Sequence, residues 1–165
     1  DPNHLRSQVP FALFLLAHGR TDLGWQQLER ARALQPDDPA VLASLAIASV
    51  ESGKADQARR LLAKLEEESA RRYVSPVFPA FVHTALGEKD SAFALLEKAY
   101  DARDPLLIEI RSMDTPVGLR PPPERAAALR ADPRFADLVR RMGFPRRDAA
   151  SGPSTPASGA PQGRR

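Results

Sequence analysis

The sequence predicts an all-α fold: a stack of helix pairs, a helical cap and an unstructured tail. Three observations predict it. First, Gly19, Gly53 and Gly87 stand 34 residues apart, with no insertion or deletion between them. Second, the same residue types follow each glycine: a small residue five on (Gly24, Ala58, Ala92), leucine nine on (Leu28, Leu62, Leu96), and alanine or leucine twelve on (Ala31, Leu65, Ala99). Third, apolar residues recur at helical spacing between these glycines, and Pro-containing turns punctuate them. A period of this length belongs to arrays of helix pairs, each of which buries its apolar face only by stacking on its neighbours.

Unit one runs over residues 5–38. Ser7 is expected to cap a helix reaching His18, with Pro10 in its first turn. Phe11, Phe14 and Leu15 form its apolar face, and Gly19 ends it. Asp22 is expected to cap the second helix, which runs through Leu34 with Leu28 and Ala31 facing inward. The stretch Gln35-Pro36-Asp37-Asp38-Pro39 reads as a turn, because a residue before proline leaves the helical region.

Unit two covers residues 39–72. Pro39 opens its first helix, which carries Leu42, Leu45, Ile47 and Val50 and ends near Ser52-Gly53. The second helix spans about Ala55 to Ala70, and Glu66, Glu67 and Glu68 read as a solvated face. Unit three covers residues 73–106. Ser75-Pro76 signals a helix start, and Pro79 predicts that this helix starts late or bends. Val77, Ala80 and Phe81 lie on it, up to Leu86-Gly87. The second helix, Asp90 to Arg103, carries Phe93, Leu96, Ala99 and Tyr100, and Asp104-Pro105 stops it.

The 34-residue register ends at Leu106. Residues 107–145 read as a C-terminal cap: a short apolar helix around Leu107, Ile108 and Ile110, then an extended connection through Pro121-Pro122-Pro123. A last helix follows Asp132-Pro133 and carries Phe135, Leu138, Val139 and Met142, with Gly143 at its end. Residues 146–165 hold no large apolar side chain and are expected to be disordered. At the other end, Pro2 lies 34 residues before Pro36 in a similar context. Asp1-Pro2-Asn3 therefore reads as the last turn of an earlier repeat, and the sequence as a C-terminal piece of a longer protein.

Composition narrows the function. The net charge is +3, and residues 146–165 supply it all, with four arginines against Asp148. The remainder balances 20 basic against 20 acidic residues, which argues against a nucleic-acid-binding face. The chain has no cysteine, so disulfides and thiolate-bound metals are excluded. The longest apolar run, Ala40 to Val50, is too short for a bilayer, which needs about 20 residues.

The stretch Ala85-Leu86-Gly87-Glu88-Lys89-Asp90-Ser91-Ala92-Phe93-Ala94-Leu95-Leu96-Glu97-Lys98-Ala99-Tyr100 resembles a tetratricopeptide repeat, and the general likeness covers residues 1–106. The resemblance implies a right-handed αα-superhelix. A narrower likeness covers about residues 73–145. There Asp132-Pro133-Arg134-Phe135, Leu138 and Arg141-Met142-Gly143-Phe144-Pro145 resemble the C-terminal repeat region of bacterial multidomain regulators, in which repeats follow a kinase-like, cyclase-like or winged-helix domain. Cytoplasmic placement is expected, or periplasmic placement if an upstream membrane span exists.

In this family the first helix of each pair lines a concave groove. The matching positions are Arg6, Val9, Leu13, Leu16 and Ala17; Ala40, Ala43, Ile47, Val50 and Glu51; and Val74, Val77, Phe81, Thr84 and Ala85. The lysine and asparagine that grip a terminal carboxylate are absent from them. The strip is mostly apolar and suits an amphipathic helix. Val9, Leu13, Leu16, Ala43, Ile47, Val50, Val77 and Phe81 are the expected partner-binding residues. The expected partner is a protein or peptide segment, with self-association as the alternative and the protein's own chain as a competing filler of the groove.

Sequence signals for catalysis are missing. His4, His18 and His83 do not pair at metal-ligand spacing, and His83 falls where the repeat usually places a packed aromatic. Ser44, Ser49 and Ser52 lack a nucleophile elbow, and no glycine-rich phosphate loop occurs. The chain is expected to be a non-enzymatic scaffold with no cofactor and no metal.

Overall fold

A computed structural model describes residues 3–112 and 119–143, and every regular element there is helical. Six helices form three hairpins: α1 (Asn3–Ala17) with α2 (Thr21–Leu34), α3 (Pro39–Glu51) with α4 (Ala55–Arg71), and α5 (Val77–Leu86) with α6 (Lys89–Asp101). The first helices stack in the order α1, α3, α5. Each second helix also packs on the next first helix, α2 on α3 and α4 on α5. The result is an all-helical repeat superhelix. A 3-10 helix (Pro105–Ser112) follows, then α7 (Pro123–Arg130) and α8 (Pro133–Arg141).

The three glycines of the register do one job. Gly19, Gly53 and Gly87 all have φ between 72° and 83°, in the left-handed region. Each closes its helix with the same pair of bonds. At the second turn Lys54 N donates to Ser49 O at 2.8 Å and Gly53 N to Val50 O at 2.9 Å. The first and third turns repeat this with Arg20 to Leu15 and Glu88 to His83. Such closures use the carbonyls that a helix end leaves without partners.

The register positions after each glycine form the core. Ala58, Ala92, Leu28, Leu96, Ala31, Leu65 and Ala99 are fully buried, and Leu62 is nearly so. Gly24 shows why the first of these positions stays small. A Cβ there would lie 2.6 Å from Leu16 Cγ and 3.1 Å from the Ala12 carbonyl. Proline and aspartate set the start of α3: Asp38 accepts hydrogen bonds from the N–H groups of Ala40 and Val41, with Pro39 opening the helix.

Several local expectations are corrected. Helix α1 begins at Asn3, so Ser7 does not cap it and Pro10 lies in its interior. An interior proline costs an isolated helix about 3 kcal/mol; close packing of Ala12 and Leu16 against α2 holds α1 through it. Asp22 does not cap α2. The residue before that helix is Arg20, which makes no side-chain cap bond, and Asp22 sits in the first turn. Asp56 and Asp90 take the same place in α4 and α6, where a carboxylate favours the helix dipole. Phe11 and Phe14 are exposed, and only Leu15 of that trio is buried. Glu68 does not belong to a solvated face. It is buried and bonded to Arg72 at 2.9 Å.

Helix α5 starts at Val77, where Ser75 Oγ accepts the Val77 N–H at 3.3 Å, so the late start expected from Pro79 is observed. The connection read as extended contains helix α7, with Pro123 in its first turn. Residues 113–118 and 144–165, with the proposed tail, lie outside the described residues, as do Asp1 and Pro2.

Candidate functional site

The register puts Leu13, Ile47 and Phe81 at one equivalent position of the three first helices, and Val9, Ala43 and Val77 at another. Their surroundings differ. Val9, Leu13 and Leu16 on α1 are half-buried, as is Val50 near the end of α3. Ala43 and Ile47 in the middle of α3 are buried, and so are Val77 and Phe81 of α5. Helix α3 is sheathed over nine consecutive residues, Val41 to Ser49, because α1, α2, α4 and α5 all pack on it. The open part of the strip is therefore smaller than the register alone implies, and it lies towards α1.

Helix α7 packs on α5. Its course follows from its neighbours. Arg120 and Glu124, at its start, both act on the Glu51 carboxyl at the end of α3. The Arg125 guanidinium lies against Gly87 at the end of α5. Past the end of α7, Asp132 lies near Lys89 at the start of α6. So α7 begins beside the C-terminal ends of α3 and α5 and leads to the N-terminal end of α6. Pro121, Pro122, Ala126 and Leu129 are buried along this path.

Helix α8 then runs along α6. Asp132 caps it, accepting from Arg134 N at 3.1 Å. Arg134 pairs with Asp90 at 2.9 Å and its guanidinium lies 4.2 Å from the centre of the Phe93 ring. Arg141 pairs with Glu97 and stacks over Tyr100 at 4.7 Å. Leu138 is fully buried beneath. Hydrogen bonds from Arg134 pull the Asp132 carboxyl down to about 2.

The electrostatics of the strip are mild. Loss of water around the Glu51 carboxyl pushes its pKa up; Arg120 opposes this and Glu124 adds to it. His83, assigned to packing, is mostly buried but also polar. Its Nδ1 lies 2.7 Å from Glu88 Oε2 and its Nε2 3.8 Å from Glu66 Oε1. Arg59 reaches the other Glu88 oxygen at 2.7 Å. Since Glu66 and Arg59 belong to α4, this cluster joins the second pair to the third. The one sequence cue to it was the set of acidic and basic residues near His83, which no periodicity singled out.

Among the described residues, no group of histidines and carboxylates has the geometry to hold a metal ion. No helix there is long and apolar enough to cross a membrane.

A family model described as a tetratricopeptide repeat matches residues 15–75. That stretch takes in α2, α3 and α4 with the turns between them. No curated protein and no solved structure matches the sequence. Residues 15–75 are thus similar to a tetratricopeptide repeat, and the stacked hairpins have the helical-repeat architecture expected of such a match. Repeats of this kind are protein–protein interaction modules, and the match supports that general class here.

Proposed function

We propose that the chain is a non-enzymatic binding module that receives an apolar helical segment of a partner protein against Val9, Leu13, Leu16 and Val50. The observation that carries this reading is the gradient of burial along one register. The positions equivalent to Leu13 are sealed on α3 and α5, where Ile47 and Phe81 are 3% and 1% exposed. On α1 the strip stays half-open. Towards the C-terminal end, the chain's own helix α7 packs on α5. A surface of this shape accepts helices by inserting side chains at helical spacing, and an open apolar strip marks an interface.

A second reading makes the chain a regulatory module of a larger bacterial regulator. It draws support from the Asp132-Pro133-Arg134-Phe135 segment, which caps α8 and clamps it to α6 through Arg134. Those are the residues that carry the likeness to such regulators.

The test is a pull-down from source-cell lysate with the wild-type chain and with a Leu13→Lys, Val50→Lys variant, after circular dichroism shows equal helix content. Loss of a specific protein with the variant supports the strip as the site. The same proteins captured by both would overturn it.

A further inference from the structure

We propose that the outer face of α1 is the seat of a further helix pair, joined ahead of α1 as α2 is joined ahead of α3. The observation is a mismatch within one register. Phe11 and Phe14 are 52% and 45% exposed. One period later, Leu45 and Ala48 are 0% and 2% exposed. Two periods later, Pro79 and Val82 are both buried.

The neighbours of the three first helices explain the difference. Each packs against the second helix of its own pair, and each is in contact with the next first helix or, for α5, with α7. Helices α3 and α5 have two further contacts, the two helices of the preceding pair: α1 and α2 for α3, and α3 and α4 for α5. Helix α1 has no such neighbour among the described residues. The two positions it leaves open are those that α3 and α5 bury.

This face is not the proposed binding strip. At about 100° per residue, Phe11 and Phe14 point to the opposite side of α1 from Val9, Leu13 and Leu16. The Phe14 ring lies 4.1 Å from that of His18, whose Nδ1 is 2.8 Å from the Phe14 carbonyl oxygen. Two exposed aromatic side chains one turn apart form an apolar contact surface.

Continuity with the existing interfaces defines the occupant. It is an amphipathic helix of the α2 and α4 kind, with a small residue where these have Gly24 and Ala58 and leucine where they have Leu28 and Leu62. A second copy stacked end to end cannot supply it. The corresponding helix of such a copy, α6, is already covered by the 3-10 helix and α8.

The test places a copy of residues 39–72 directly ahead of Leu5, in register, in place of residues 1–4. The extended protein should unfold in one transition, with a melting temperature roughly 5–10 °C above the parent. Phe11→Asp with Phe14→Asp should abolish that gain, yet shift the parent's melting temperature by only about 1–2 °C, since both side chains are already exposed. As a second readout, 4-fluorophenylalanine at positions 11 and 14 should lose its solvent isotope shift in the extended protein. The proposal is overturned by a gain that survives the double substitution, or by fluorines that stay solvent-exposed. It is equally overturned if sedimentation equilibrium finds the parent dimeric and the double substitution makes it monomeric, which would give the face to a second copy.

Discussion

His83 Nδ1 lies 2.7 Å from Glu88 Oε2, and Arg59 holds the other Glu88 oxygen at the same distance. Burial works to raise the Glu88 pKa, but the hydrogen bonds from His83 and Arg59 outweigh it, and the carboxyl stays below its ordinary value of 4.5. A carboxylate with a lowered pKa in the fold stabilises the protein while it is charged. Its contribution is complete above about pH 4.5 and fades as the pH falls through the lower folded value. Glu88→Gln should cost about 1 kcal/mol or less at pH 7, given the partial exposure of the pair. Thermal melts from pH 7 to pH 3 should show the gap between variant and wild type closing at the acid end. A gap of constant size would mean that the charge of Glu88 stabilises nothing.

Arg103 adopts φ 51°, the one positive value outside glycine among the described residues. It closes α6 with the bonds that the glycines use, Asp104 N to Ala99 O at 2.9 Å and Arg103 N to Tyr100 O at 3.0 Å. A side chain in that conformation costs roughly 1–2 kcal/mol, part of which the lower chain entropy of a non-glycine residue returns. Arg103→Gly should therefore stabilise the protein by about 0.5–1 kcal/mol. Gly53→Ala should destabilise it by about 1 kcal/mol, from backbone strain alone, since nothing lies within 4 Å of the new Cβ. Urea melts of the two variants should move in opposite directions.

Gly24 sits in α2, where alanine would gain up to about 1 kcal/mol of helix propensity. Packing reverses the sign. The added Cβ would meet the Leu16 branch point at 2.6 Å and a backbone carbonyl at 3.1 Å, and the carbonyl cannot rotate away. Gly24→Ala should lose about 1–2 kcal/mol in chemical denaturation, as overpacked cores do. Pairing it with Leu16→Val should recover part of the loss. A single variant as stable as wild type would show that α1 and α2 separate freely.

Ile47 and Leu13 share one register position, yet lysine should affect them differently. At Ile47 the ammonium would enter a buried site, at a cost of several kcal/mol, and circular dichroism should show lost helix at 37 °C. At half-buried Leu13 the aliphatic stem can lie along the surface with its charge in water, so the loss should stay near 1 kcal/mol. Leu13→Lys is thus the variant for binding assays. Equal loss of helix at both positions would show that α1 is as enclosed as α3.

Helix-pair stacking was legible in the sequence because it rests on repeated local chemistry. A glycine that reaches positive φ, a small residue five on and a leucine nine on are each visible without knowing a neighbour, and the structure uses all three alike. Helix α7 was not read, although Pro123 and Glu124 in a first turn followed by alanines are a start signal. The proline run masked it. The misplaced start of α1 has a similar origin: a serine ahead of Pro10 looks like a cap, but the helix begins at Asn3.

The sequence by itself determined the fold class, the number of pairs in register and the residues that line one side of each first helix. Those follow from periodicity, which the chain carries within each 34-residue unit. Only the tertiary structure decided which of those side chains meet water. Leu13 and Phe81 occupy the same place in their units, but α3, α4, α6 and α7 all pack on the helix that carries Phe81, against α2 and α3 on the helix that carries Leu13. Exposure depends on which distant segments arrive, and a local pattern cannot encode an arrival.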